Sequence, residues 1–165
     1  MRLSVLFLSA VAWTAEWSSF RGPNGSGVAD ATGIPSEFGP EKNVVWKIAV
    51  PKGSSSPVLT ADALFLTGAE NSQLITLKVD RGTGRVVWRR TLPQARAEKR
   101  HELNNPASPS PVTDGVNVYV FFSDFGLISY GPDGNERWRL PMPPFASHFQ
   151  TSTTTCTPHR SCVPG

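Results

Sequence analysis

Hydrophobic and polar residues alternate with a period of two in several short stretches between residues 44 and 141. In the clearest stretch, each of Ile75, Leu77 and Val79 is followed by a polar residue. This period is expected when one face of a strand is more buried than the other. The chain has no long apolar segment with the 3.6-residue period of a helix, so the sequence predicts an all-β fold with little helix.

The alternating stretches form two successive sets of four short strands. The first set is predicted at residues 57–59, 63–66, 75–79 and 86–92, and the second at 110–112, 117–122, 127–130 and 136–140. Tight turns rich in glycine, Gly82-Thr83-Gly84 and Pro132-Asp133-Gly134, precede the last strand of each set. One further strand is predicted at Val44–Val50, ahead of the first set and without partners of its own.

The two sets are an internal repeat. The segment from Ser54 to Trp88 has its echo from Ser108 to Trp138, and a unit of roughly 40–50 residues with the same turn-then-tryptophan ending is typical of a propeller blade. The predicted organisation of residues 44–145 is a blade at 54–92, a loop at 93–107 and a blade at 108–141. Because a closed propeller needs about 4–8 blades, the sequence predicts a partial β-propeller of two four-stranded antiparallel blades plus one orphan strand.

A partial propeller has two explanations. The chain is a fragment of a longer reading frame, or several copies associate to complete a ring; the first is the main expectation. In either case both ends of the blade pair expose sheet edges, which predicts poor solubility for the chain expressed alone.

The segments before the repeats have a different composition from the repeats. Residues 1–15 have one positive charge, a short apolar run and an Ala-x-Ala pattern, which predicts a secretory signal peptide and a periplasmic or secreted location. The alternative is a buried N-terminal strand or helix. Residues 16–43 are predicted to be an irregular Gly/Pro-rich lead-in, in which Trp17 and Phe20 are expected to be buried anchors.

The last segment, residues 146–165, has no apolar alternation and is predicted to be a disordered or off-pattern tail, as a truncated or frame-shifted gene would produce. It holds both cysteines, Cys156 and Cys162, which can pair in an oxidising compartment. With only His159 beside them, they lack a fourth ligand for zinc.

The net charge of +3 arises largely from basic residues in strands and loops between positions 85 and 100, which predicts a solvated surface rather than a nucleic-acid footprint. The loop at 93–107 is long enough to hold function, and its polar candidates are His101, Glu102, Asn104 and Asn105. The alternative is a solvated connection. A hydrolase is disfavoured because the Gly-x-Ser-x-Gly signature is absent from the sequence.

The spacing Asp80-x-x-Thr83-Gly84-x-x-x-Trp88 resembles the tryptophan-docking motif of pyrroloquinoline-quinone-like (PQQ-like) β-propeller repeats, with Lys78 where the family has alanine. The second copy, from Asp133 to Trp138, is shorter and lacks the threonine. The opening at residues 17–27 is similar to exported bacterial proteins of this family. A tryptophan one strand beyond such a turn is expected to dock on the neighbouring blade, while Asp and Thr bind the turn backbone.

The resemblance implies a non-catalytic, exported binding or scaffold module that contacts a protein partner through its blade loops. The alternative is an N-terminal fragment of a quinone-dependent dehydrogenase that oxidises alcohols or sugars. Such an enzyme needs the quinone and calcium on the axis of a complete propeller, together with a vicinal disulfide, and this sequence has no adjacent cysteines. No catalytic, cofactor-binding or metal-binding residue is therefore predicted, and neither nucleic acid nor a membrane span is expected.

Overall fold

The computed structural model describes residues 16–29, 32–97 and 104–143. These residues form two four-stranded antiparallel sheets, each with its strands in chain order. The first sheet consists of β1 (Val58–Leu59), β2 (Ala63–Glu70), β3 (Gln73–Asp80) and β4 (Val86–Pro93). The second sheet consists of β5 (Val112–Thr113), β6 (Val118–Phe122), β7 (Gly126–Tyr130) and β8 (Glu136–Pro141). The all-β prediction is confirmed, and the two open sheets have a partial, propeller-like arrangement.

Each strand overlaps a stretch predicted from the sequence, and tight turns set the register. Asn71 and Ser72 connect β2 to β3 and both have positive φ, 51° and 57°, which is the geometry of a two-residue hairpin turn that matches the strand twist. β2 and β3 then pair without interruption from Ala63 with Asp80 to Glu70 with Gln73. A bulge between Lys78 and Val79 shifts the pairing of β3 with β4.

The main core lies between the two sheets. It contains Phe65, Leu74 and Trp88 from the first sheet and Val118, Val120, Phe122, Ile128 and Tyr130 from the second. A smaller core lies on the opposite face of the first sheet, where Ile75, Leu77 and Val79 are buried and Trp46 and Ile48 pack against them. The first sheet is therefore covered on both faces.

As predicted, residues 44–50 pair with no strand, but they do not form the regular β-strand that the sequence predicts. Asn43 at its start has a φ of 57° and Pro51 follows its end, so neither flank continues an extended ladder. Below, the Trp46 segment means residues 44–50. It is attached to the first sheet by side chains instead, chiefly by Trp46 and Ile48.

The N-terminal lead-in holds the two sheets together at their first strands. Trp17 exchanges both backbone hydrogen bonds with Leu59, at 3.0 and 2.8 Å, and the Ser18 carbonyl accepts from the N–H of Thr113 at 2.9 Å. Trp17 is half-buried, but the expected burial of Phe20 is wrong, since its side chain stays exposed. One short segment thus bridges β1 and β5.

Several sequence predictions fall outside the described residues. These are the signal peptide at residues 1–15, part of the loop at 93–107 including His101 and Glu102, and the tail with Cys156 and Cys162. In the part of the chain that the structure covers, no helix is long and apolar enough to cross a membrane.

Candidate docking face of the second sheet

The turn before β4 has the internal hydrogen bonds that its sequence predicts. Asp80 Oδ1 accepts from the backbone N–H and from the hydroxyl of Thr83, both at 2.7 Å. The Thr83 hydroxyl, and next its backbone N–H, lower the pKa of the Asp80 carboxyl below its ordinary value of 3.8. Gly84 completes the turn at a φ of 73°, a conformation that favours glycine.

A tryptophan covers each of the two turns. The indole N–H of Trp46 donates to the Arg81 carbonyl at 2.8 Å, and a Cβ on Gly84 would lie 2.6 Å from Cδ2 of Trp46. The indole N–H of Trp88 donates to the Pro132 carbonyl at 3.1 Å. A Cβ on Gly134 would lie 2.8 Å from Cδ2 of Trp88. The predicted docking of Trp88 on the next unit is confirmed, and Trp46 docks in the same way on the first sheet.

Trp88 is only 6% exposed and lies in an aromatic cluster at the interface between the sheets. Its ring centroid is 5.9 Å from that of Phe65 in its own sheet and 5.8 Å from that of Tyr130 in the second sheet. Burial, and next the charge of Glu136, raises the pKa of Tyr130 to about 12. The cluster therefore combines rings from both sheets in a largely water-free environment.

Two cations of the first sheet complete this interface. Arg90 Nε donates to the Gly134 carbonyl at 2.6 Å and Arg90 Nη2 to the Asp133 carbonyl at 3.2 Å. Lys78 Nζ donates to the Pro132 carbonyl at 3.2 Å. The strand that holds Arg90 is largely solvated, as predicted, but Arg90 itself is half-buried. Its guanidinium lies 5.7 Å from the Trp88 ring centroid and binds the turn backbone.

The corresponding face of the second sheet has no sheet against it among the described residues. The strand registers pair Val58 with Phe65 and Lys78 with Trp88, and likewise Val112 with Tyr119 and Ser129 with Trp138. Trp138 thus occupies the position of Trp88, but it is 42% exposed. We call Val112, Tyr119, Trp138 and Leu140 the docking face; Tyr119 is half-buried and the other three side chains are exposed.

The docking face is ordered although it is exposed. The ring centroids of Tyr119 and Trp138 lie 6.1 Å apart, close to the spacing of the buried Phe65 and Trp88 pair. The Tyr119 hydroxyl donates to Asp114 Oδ2 at 2.7 Å, and Asp114 also accepts from the backbone and side chain of Asn117. A hydrogen-bonded carboxylate therefore fixes one ring of the face.

The pH dependence of this anchor is a testable consequence. The Asn117 side-chain amide, and next the Tyr119 hydroxyl, hold the pKa of the Asp114 carboxyl well below its ordinary value of 3.8. A lowered folded-state pKa gives stability that is present above the unfolded pKa and is lost as the pH falls toward the folded one. Replacing Asp114 by Asn should therefore flatten the dependence of the unfolding free energy on pH below about pH 4.

Carboxyl-carbon NMR measures this directly. The Asp114 signal should titrate well below 3.8, and the ring signals of Tyr119 should shift with the same midpoint. An Asp114 midpoint at or above that value would contradict the anchor.

Of the two loop candidates that the structure describes, Asn105 has a structural role. Asn104 is exposed, whereas Asn105 Oδ1 accepts from the Ala107 N–H at 2.8 Å and so closes a turn. Asp124 is fully buried and accepts from Gln94 Nε2 at 2.6 Å, while Arg96 donates to the Met142 carbonyl at 2.8 Å. These bonds tie the chain after β4 to the second sheet.

Among the described residues there is no group of three or more His, Cys, Asp or Glu side chains that could hold a metal ion. Sequence reasoning missed Tyr119 and Asp114 as parts of a site. The sequence did single out Lys78, because this lysine stands where the motif that ends at Trp88 has alanine.

A scan of the chain against protein-family models and a search of the curated proteins find no match. The case for function consequently rests on the geometry of the docking face.

Proposed function

We propose that this chain is a non-catalytic, exported binding or scaffold module of the PQQ-like β-propeller repeat type, and that it binds a protein through the docking face. The observation that carries the proposal is the contrast between two tryptophans in equivalent positions. Trp88 is 6% exposed against the second sheet, and Trp138 is 42% exposed. Export is supported by the apolar run that follows Arg2 in the sequence.

The composition of the docking face suits protein recognition. Tryptophan and tyrosine are enriched at the energetic centres of protein interfaces because they bury a large rigid area at little cost in conformational entropy. Leu140, 53% exposed, extends the apolar surface beside Trp138 on β8. The resemblance implies a partner at the blade loops, but the geometry favours this face of the sheet over the loops.

The residues that the structure describes do not form a donor set for the quinone-dependent alternative. The resemblance implies a calcium ion and a quinone held by carboxylates and amides from several blades and by a vicinal disulfide. The described residues bring no three acidic, histidine or cysteine side chains together, and the sequence has no adjacent cysteines. The described residues therefore do not fit this cofactor.

Site-specific cross-linking in the cells that produce the protein tests the proposal. Benzoylphenylalanine at Leu140 should give a discrete protein adduct after illumination, because position 140 lies on the docking face. The matched control is Val116, which is 60% exposed in the turn between β5 and β6 and lies off that face. Adducts from position 116 alone would move the partner to the blade loops, and adducts from neither position would overturn the proposal.

The proposal that the chain is non-catalytic is tested by a separate measurement. Titration of the purified protein with the quinone and calcium should give no saturable absorbance change and no dye-linked oxidation of alcohols or sugars. Saturable binding with turnover would establish the dehydrogenase instead.

A further inference from the structure

The sequence at the docking face matches another segment of the same chain. Trp138-Arg139-Leu140 has the order tryptophan, cation, aliphatic residue, and so does Trp46-Lys47-Ile48. The third tryptophan differs, because Trp88 is followed by Arg89 and Arg90. The exposed strand β8 is thus chemically equivalent to the Trp46 segment and not to β4.

The Trp46 segment already occupies a docking site on the first sheet of its own chain, and we call this site the seat. Trp46 covers Gly84 and donates to the Arg81 carbonyl, and Ile48 packs against the small core of Ile75, Leu77 and Val79. The seat is apolar where Ile48 lies. In the interface between the two sheets, Arg90 binds turn carbonyls, whereas no cation of the Trp46 segment does so at the seat. The seat therefore accepts an aliphatic residue two positions after the tryptophan.

The fit of the Trp46 segment to this seat is incomplete. The segment forms no strand, and an open groove of about 390 Å³ remains between it and the sheet. Apolar side chains of the sheet line the groove, among them Leu64, Leu66 and Val79. A regular strand with the same side-chain order would fill this groove better than the irregular Trp46 segment does.

We infer that β8 of a second copy of this chain docks on the first sheet in place of the Trp46 segment. This inference rests on the proposed function and names the partner of the docking face. The Trp138 indole of one copy donates to the Arg81 carbonyl of the other and covers its Gly84. Leu140 takes the position of Ile48 and enters the groove beside Leu64 and Leu66.

The turn of the second sheet cannot be the site at which β8 of another copy docks. Trp88 already occupies it, and its Asp133 and Gly134 carbonyls are bound by Arg90. Leu140 cannot donate a hydrogen bond, so β8 could not replace β4 there. Because the donor and acceptor surfaces differ, the contact is head-to-tail, and it continues beyond a dimer unless the copies close into a ring.

Trp46 competes with this association from within each acceptor chain. A covalently attached segment acts at an effective concentration on the order of millimolar, so the wild-type acceptor is mostly closed. Replacing Trp46 by Ala removes the competitor. Sedimentation velocity of the full chain should then show association at a concentration about tenfold or more below that of the wild type.

Two further variants separate docking from non-specific aggregation. In the Trp46→Ala, Trp138→Ala double variant the acceptor is open but the donor is lost, so the protein should be monomeric at the same concentrations. It should also form a one-to-one complex when mixed with wild-type chain, which supplies β8. The third variant, Leu140→Arg in the Trp46→Ala background, leaves the fold intact because position 140 is exposed, and should abolish association by placing a charge in the groove.

The outcomes are decisive in both directions. A monomeric Trp46→Ala protein, or a double variant that associates as strongly as the single one, would overturn the inference. The proposed function fails separately, when neither position 140 nor position 116 gives a protein adduct in the cell. An adduct with a different protein, together with a monomeric Trp46→Ala variant, would keep the proposed function and reject self-association.

Discussion

Replacing Trp88 by Ala is expected to lower the free energy of unfolding by about 3–5 kcal/mol, the range for deleting a large buried aromatic side chain. The ring is 6% exposed and contacts both Phe65 and Tyr130, so its removal leaves a cavity between the sheets. Its indole N–H also loses the bond to the Pro132 carbonyl, although Lys78 still donates to that oxygen. Urea denaturation followed by circular dichroism measures the change.

The matched control is the same substitution at Trp138. This tryptophan has the same place in its repeat, but it is 42% exposed and contacts the single ring of Tyr119. Its replacement by Ala should cost less than about 1 kcal/mol, as is usual for partly exposed surface positions. Equal losses at the two positions would mean that Trp138 is buried by the protein's own chain and that the docking face does not exist.

Most of the strand positions could be predicted because a strand with one buried face leaves its period in the sequence. The predicted stretches at 63–66 and 75–79 fall within β2 and β3, which extend further to meet at the turn of Asn71 and Ser72. That extension was missed because Thr67, Gly68 and Ala69 are not strongly apolar, yet they are held in the sheet by pairing with β3. Cross-strand pairing, rather than local pattern, sets the length of these strands.

The Trp46 segment shows where composition alone fails to predict a strand. Val44–Val50 has the composition of a strand, but a strand exists only if a neighbour supplies hydrogen bonds to its backbone. A sequence pattern within one segment does not reveal whether that neighbour is present. Trp46 still indicated contact with a turn, because this contact needs only its own side chain and one backbone carbonyl. It therefore forms although the segment is not a strand.

The candidate site was predictable only in part for a related reason. The motif identified Trp88 and Trp138 as equivalent, and it correctly assigned Asp80 and Thr83 to the turn. Which tryptophan is covered depends on what lies against each sheet, and that is a property of the assembled fold. The carbonyls that Arg90 binds are likewise brought close by packing, more than forty positions along the chain.

The interface between the sheets therefore depends on close approach of a ring to a glycine, and substitution of that glycine is the sharpest test of it. Gly134→Ala should lower the free energy of unfolding by about 2–5 kcal/mol, since two costs add. A left-handed φ of 79° costs a residue with a Cβ about 1–2 kcal/mol. The new Cβ, 2.8 Å from Cδ2 of Trp88, forces the ring or the turn to move, at about 1–3 kcal/mol.

Gly115→Ala separates these two costs within the same sheet. Gly115 also has positive φ, 92°, but a Cβ there would meet no atom within 4 Å, so only the conformational cost applies. Urea denaturation of both variants should show the larger loss for Gly134, and the indole fluorescence of the native state should change in that variant alone because Trp88 is displaced. If the two losses are equal, Trp88 does not pack tightly on the turn, and the equivalent seat proposed for Trp138 on Gly84 of a second copy loses its structural precedent.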